Sequence, residues 1–207
     1  MIVRTLPVGP LETNCYLVGC EQTHLGAVID PGGDAADILA AIQRDGLTIQ
    51  YVLLTHAHFD HIGAAKEIVE ATRAPLALHP DDLPILHARG GAAMFGVWMQ
   101  PCPEPTLSLA EGQVIELGTV QLHVLHTPGH APGHVTFYAP HAHAAFDGDV
   151  LFQMGIGRTD FPGCSYKQLM NSIRNKLFTL PDDTAIYPGH GPATTVGDEK
   201  RHNPFLM

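Results

Sequence analysis

Positive charge is scarce in this 207-residue chain: 11 lysines and arginines stand against 21 aspartates and glutamates, a formal charge of -10. Nucleic-acid binding draws much of its affinity from cations set against phosphates, so a general nucleic-acid binder is excluded. Long apolar runs are missing too. No stretch of about 18 apolar residues offers a membrane span. The N-terminal MIVRTLPVGPLETNCYLV interrupts its apolar residues with proline, glycine and polar groups, unlike the core of a signal peptide. The four cysteines, Cys15, Cys20, Cys102 and Cys164, form no CxxC pair and are too sparse for a secreted disulfide scaffold. These absences lead to the expectation of a cytoplasmic protein with free thiols and no membrane partner. No low-complexity linker divides the chain and its length suits one core, so a single domain over residues 1–207 is expected.

Histidine, by contrast, is abundant, at 14 residues. Three of them crowd with an aspartate into THAHFDH, Thr55 to His61, at the end of the apolar run YVLLT.

The surrounding pattern places that motif. Short β-like runs come first (IVRTLPV, NCYLVGC, GAVIDPG), punctuated by glycine and proline. DAADILAAIQRDG reads as a helix with Asp34 as N-cap and Gly46 as stop. IQYVLLT is a buried strand, IGAAKEIVEATR a helix and APLALHP the next strand. From Asp81 to Pro105 the pattern is irregular, with Met94, Phe95, Trp98 and Met99 between glycine and proline clusters. QVIELGTVQLHVLHTPG then reads as a hairpin turning at Leu117-Gly118-Thr119, and HVTFYAP and HAAFDGDVLF as further strands. SYKQLMNSIRNKLFTL is a helix striped by Leu169, Ile173 and Leu177, and TAIYPGHG a last strand and loop. Strands followed by a helix occur twice. That order predicts an αββα sandwich: two mixed β-sheets face to face, with helices on the outer faces.

Four β-like runs end in a potential metal ligand: VLLT in His56, His58, Asp60 and His61; LHVLHTPG in His130; AAFDG in Asp149; AIYPG in His190. Strand ends meeting at one edge of a sandwich bring such distant pieces together. Imidazole with carboxylate suits zinc, iron or manganese, and the lack of paired cysteines argues against a thiolate-rich structural site. In an extended loop residues two apart point the same way, so His56 and His58 can grip one ion while Asp60 and His61 turn toward a second. Five histidines and two carboxylates exceed the four ligands of a closed structural site; two divalent ions with open positions fit better. Taken singly, Asp60 reads as a helix N-cap and His130 and His190 as turn residues after Pro-Gly. Their coincidence with HxHxDH favours ligation. His134, in GHAPGH, is expected to support a ligating histidine from behind.

With these motifs, together with NCYLV, AVIDPGG, GRTDFPG and NPFL, the chain resembles the metallo-β-lactamase superfamily and, within it, the short single-domain glyoxalase II-type hydrolases. The resemblance implies that His56, His58 and His130 hold a first ion, that Asp60, His61 and His190 hold a second, and that Asp149, rather than Asp147, bridges them. It implies zinc as the cofactor, with iron or manganese as alternatives. It also implies hydrolysis of the glutathione thioester S-D-lactoylglutathione to D-lactate and glutathione by a metal-bound hydroxide, with Asp60 orienting the nucleophile or carrying its proton. No added C-terminal helical domain is expected. Glutathione is anionic, so Arg158, Lys200 and Arg201 are candidate substrate contacts. The chain departs from the short hydrolases at Met154-Gly155 and Cys164-Ser165-Tyr166, which touch no expected ligand. An iron-dependent persulfide dioxygenase, needing only His56, His130 and Asp149, is the nearest alternative activity, and a lactonase or other hydrolase of this fold a further one.

Overall fold

The computed structural model describes residues 1–207. Six strands form the first sheet in sequence order: β1 (Ile2–Val8), β2 (Thr13–Gly19), β3 (Leu25–Ile29), β4 (Thr48–Leu53), β5 (Leu76–Leu78) and β6 (Leu107–Ser108). The first three pair antiparallel and the last four parallel, so the sheet is mixed. Parallel neighbours need a crossover connection. Helices α1 (Ala35–Arg44), α2 (Phe59–Ile62) and α3 (Ala65–Thr72) lie on the crossovers from β3 to β4 and from β4 to β5, and α4 (Leu83–His87) follows β5.

The second sheet holds β7 (Val114–Leu117), β8 (Val120–His126), β9 (Val135–Ala139) and β10 (Ala144–Gly148). A two-stranded hairpin, β11 (Leu151–Phe152) with β12 (Gly155–Ile156), and α5 (Tyr166–Asn175) intervene. The chain then returns to the second sheet with β13 (Ala185–Pro188), parallel to β10, and β14 (Thr194–Thr195), and ends with α6 (Val196–His202). The β7–β8 turn is the expected one: Leu117 pairs with Val120 across Gly118, whose φ of 63° suits glycine.

Side-chain alternation decides which core each strand feeds. In β2, buried along its whole length, Cys15 and Leu17 join the core under α1, α3 and α4, whereas Tyr16 and Val18 enter the core between the sheets. Val52 and Leu53 divide in the same way on β4. A third core, containing Leu169 and Ile173 of α5 and Val196 of α6, lies on the outer face of the second sheet. Three apolar layers between four layers of structure make the αββα sandwich. Phe137, fully buried between the sheets, is expected to cost about 3–5 kcal/mol on replacement by alanine, read by urea denaturation.

Two helix details differ from the sequence reading. Asp34 is no side-chain cap: it sits in the left-handed region at φ 49° and its carboxylate accepts from the Gly9 amide at 2.8 Å, joining the β1–β2 turn to the start of α1. Leu177 lies beyond the end of α5, in a 3₁₀ turn after Lys176, although it still reaches the core that Leu169 and Ile173 occupy. No helix is long and apolar enough to cross a membrane.

Candidate metal centre

The ends of β4, β8, β10 and β13 converge at one edge of the sandwich, and backbone hydrogen bonds lock the two sheets together there. The Val135 amide donates to the Thr55 carbonyl at 2.8 Å, and the Asn14 amide to the Gly189 carbonyl at 2.7 Å. On this frame the structure brings together all seven candidate ligands. His56, His58 and His130 form one group and Asp60, His61 and His190 another, with the ligating atoms of each group within 4.8 Å of one another. Asp149 straddles them. Its Oδ1 lies 3.5 Å from His61 Nε2, while its Oδ2 lies 3.4 Å from His130 Nε2 and 3.9 Å from His190 Nε2. Asp60 Oδ2 lies 3.1 Å from His190 Nε2 and accepts from Thr13 Oγ1 at 3.3 Å.

Buried polar atoms nearly always find partners, yet His56 Nε2, His61 Nε2 and Asp149 Oδ1 are buried here with none. All three point into the same small volume, which is the signature expected of a cation site. The donor set of imidazole nitrogens and carboxylate oxygens is of the right chemistry, and without an ion its carboxylates hold protons on two of the rings. Burial opposes it, but Asp60 and Asp149 raise His61 well above the usual histidine value and raise His190 as well, protons that a bound ion would replace. Burial, helped by His61, holds His56 well below the usual histidine value. Burial, helped by His130, takes His58 down to about 3. For Asp60 and Asp149 burial opposes ionisation, but the neighbouring His61 and His190 outweigh it, with His130 adding to the effect on Asp149, so both carboxyls lie below the usual range.

The opposite nitrogens of these rings are held from behind. His61 Nδ1 meets Asp30 Oδ2 at 2.9 Å, His130 Nδ1 donates to the Arg158 carbonyl at 2.9 Å, and His190 Nδ1 donates to the Leu11 carbonyl at 3.2 Å. His56 Nδ1 faces Thr55 Oγ1 at 3.1 Å. Asp30, 2% exposed, also accepts from the Thr55 amide and hydroxyl at 2.7 and 2.6 Å. Asp82 is a second buried clamp, accepting from Ala57 N at 2.9 Å in one ligand loop and from Gly133 N at 2.6 Å in another; burial pushes it up to about 6. Neither is among the candidate residues that the chain's motifs offer. Asp30 carried a signal, since it ends the apolar run GAVID just as the ligands end theirs.

His134, the expected support, works through the backbone instead. Its Nε2 accepts from the Asp149 amide at 3.1 Å, its Nδ1 faces Thr127 Oγ1, and its ring stacks on His56 at 4.8 Å. Asp147 points elsewhere: it accepts from the Leu151 amide and is fully buried, so its carboxyl is held well above the usual range. Gly189 is required by a close approach, because a Cβ there would sit 2.1 Å from Asp149 Oδ1 and 2.7 Å from His61 Cε1. Gly189→Ala is therefore expected to cut metal content and activity together while the fold persists, as read by metal analysis beside circular dichroism.

Above these groups opens a cavity of about 950 Å³ with His58, Asp60, His130, Asp149 and His190 on its floor. Its walls are apolar, built from Met94, Phe95, Trp98, Phe152 and Phe161, and Trp98 is 80% exposed at the rim. The irregular segment supplies most of that wall as short helical turns separated by Gly90, Gly91 and Gly96 in left-handed conformations. Arg158 is the only lysine or arginine lining the cavity; its guanidinium forks onto Asp160 at 2.8 and 3.0 Å and lies 4.3 Å over Phe161. Lys200 and Arg201, expected beside it on charge alone, lie on α6, where they pair with Asp182 and Asp198 and line no part of the cavity. Of the departures from the hydrolase pattern, Met154 occupies the β11–β12 turn at φ 58°, Cys164 Sγ donates to the His130 carbonyl at 2.8 Å, and Ser165 caps α5.

Residues 8–190 match the family model of the metallo-beta-lactamase superfamily. The chain is 41% identical to a probable metallo-hydrolase, YqgX, of Bacillus subtilis, over 98% of this chain and 96% of that one. It is 38% identical to the hydroxyacylglutathione hydrolase GloC of Haemophilus influenzae, over 100% and 98%. Among solved structures, the BLEG-1 B3 metallo-beta-lactamase superposes with a TM-score of 0.94 at 39% identity, each chain covered in full. TTHA1623, in a di-iron-bound form, superposes at 0.89 with 44% identity and the same coverage.

Proposed function

The chain belongs to the metallo-beta-lactamase superfamily, and from that premise we propose that it is a metal-dependent thioester hydrolase that converts S-D-lactoylglutathione to D-lactate and glutathione. The observation that carries a two-ion hydrolytic centre is Asp149, whose two oxygens face two separate ligand groups. His56, His58 and His130 would hold one ion and Asp60, His61 and His190 the other, with Asp149 between them. Zinc is the ion this reading favours; iron or manganese has the same claim on the donor atoms, and a di-iron form is known for the similar TTHA1623. Bound there, two divalent ions supply a water acidified to a pKa of about 7 and a Lewis acid for the carbonyl oxygen.

The chain's own residues do the rest. Asp60, on the cavity floor, has one carboxylate oxygen held by Thr13 and His190, which orients the group to take up a proton at its carboxylate and pass it on. The departing sulfur asks for little acid assistance, since thiols ionise near pH 8.5. Phe95, Phe152 and Phe161 give the cavity above the floor an apolar lining against which the substrate's acyl group can pack. Arg158 stands where a substrate carboxylate can exchange with Asp160. Support for glutathione as the thiol rests on the likeness to GloC.

The test is loss of thioester absorbance from S-D-lactoylglutathione with zinc-loaded and iron-loaded protein. Rapid turnover is expected. No turnover by protein carrying a full metal complement would overturn this substrate, and oxygen consumption with glutathione persulfide by the iron form would replace hydrolysis with persulfide oxidation. Within the reading, Arg158→Ala is expected to raise KM about tenfold with little change in kcat, the mark of a lost charge-assisted contact worth about 1.4 kcal/mol in both ground and transition states.

A further inference from the structure

A second cluster of metal-binding groups lies outside the active site, on the other side of the loops that carry it. His79, at the end of β5, and Asp81, in the turn that follows, meet His126, the last residue of β8. The ligand-capable atoms of the three lie within 4.8 Å of one another. The two imidazoles stack nearly parallel, 4.2 Å apart, and His79 Nδ1 is 3.8 Å from Asp81 Oδ2. Stacked imidazoles repel one another when protonated, and burial together with His126 lowers the pKa of His79.

A separate observation points to a ligand. His126 Nε2 donates to the Pro132 carbonyl at 3.0 Å. That bond fixes the proton on Nε2 and leaves Nδ1 as a bare lone pair, the arrangement by which the carbonyls of Arg158 and Leu11 hold His130 and His190 in the active site. Asp81 is exposed, so its carboxylate is free to swing; His79 Nδ1 accepts from the Asp81 amide at 3.3 Å, and ligation would exchange this bond for the ion as the ring turns about its broad terminal torsion out of the stacked plane.

We propose that His79, Asp81 and His126 form an accessory site for a divalent transition ion of the zinc, nickel or copper class, with solvent filling its remaining positions. Two imidazoles and one carboxylate are borderline donors that prefer such ions to calcium or magnesium. The site would fasten the turn after β5, in the first sheet, to the end of β8, in the second. It also adjoins the active site through the backbone: Asp82, next to Asp81, clamps Ala57 and Gly133, and the Pro132 carbonyl held by His126 lies two residues from His130. An ion there stiffens the loop that carries an active-site ligand without touching substrate.

The test is equilibrium dialysis of the whole protein against zinc, followed by metal analysis, on wild type, His79→Ala, His126→Ala and Asp149→Ala. Wild type is expected to hold one equivalent more than either histidine variant, and zinc beyond the active-site complement should raise the Tm of wild type but not of those variants. Asp149→Ala should keep the accessory equivalent while losing active-site metal, which separates this site from the hydrolytic centre. Circular dichroism checks that the variants are folded, and His126→Gln replaces any that is not. Equal stoichiometry in wild type and folded histidine variants, or a wild type that takes up only the active-site complement, would overturn the proposal.

Discussion

Asp149→Ala should lower kcat/KM for the thioester by about 10³-fold or more, roughly 4 kcal/mol of transition-state stabilisation. Asp149 reaches both ligand groups with its carboxylate, and its Oδ1 has no protein partner. Its removal leaves five imidazoles around a site with only the Asp60 carboxylate to offset the charge of two ions, so both occupancies should fall. Metal analysis beside steady-state kinetics reads the two effects on one sample. Asp147→Asn is the control: that carboxyl, two residues away, is buried and held above the usual range, so an amide of the same shape mimics its protonated form and metal content should be unchanged. Full activity in metal-replete Asp149→Ala would remove this residue from the reaction.

Asp30→Ala should have the largest effect on stability of any single change at the site, about 3–5 kcal/mol in urea melts of metal-free protein. The carboxylate accepts three hydrogen bonds at 2% exposure, and losing it leaves the Thr55 amide and the His61 ring buried without a partner. Metal affinity should fall about 10–100-fold as well, because His61 loses the group that fixes its tautomer and direction. The two effects separate in Asp30→Asn, which keeps an acceptor for Thr55 but alters the bond to His61. A loss under about 1 kcal/mol in Asp30→Ala would mean that the clamp contributes nothing beyond its geometry.

The seven residues that converge at the site are legible in the chain because they follow the ends of four apolar runs, and the end of a strand is set by local composition. The sheets were legible for the same reason: alternation and the Gly118 turn are short-range signals. Asp30 and Asp82 were harder to read, since Asp30 acts on Thr55 and His61, and Asp82 on Ala57 and Gly133, between 25 and 51 residues away. Asp34 has the composition of a helix cap, yet a tertiary partner, the Gly9 amide, claims its carboxylate. The positive charge that marks Lys200 and Arg201 in the chain carries no information about distance; both pair with acids, Asp182 and Asp198, away from the cavity. The wall built by residues 89–99 was hardest of all, because its course depends on three left-handed glycines rather than on any hydrophobic period.

That wall differs from the floor in one respect with consequences for descent. Of the four strands that carry the floor, β4, β10 and β13 feed side chains to two cores, so a mutation there is felt on both faces of a sheet. Met94, Phe95, Val97 and Trp98 are exposed; of the four, Phe95 also packs on the rings of Phe59 and Phe161, at 5.3 and 5.7 Å. Lineages can therefore rewrite the wall, and with it which molecules enter, while inheriting the chemistry below it intact. A library randomised at those four positions should yield mostly folded, metal-replete proteins with altered preferences, an asymmetry that lets one ancestral centre seed many specificities.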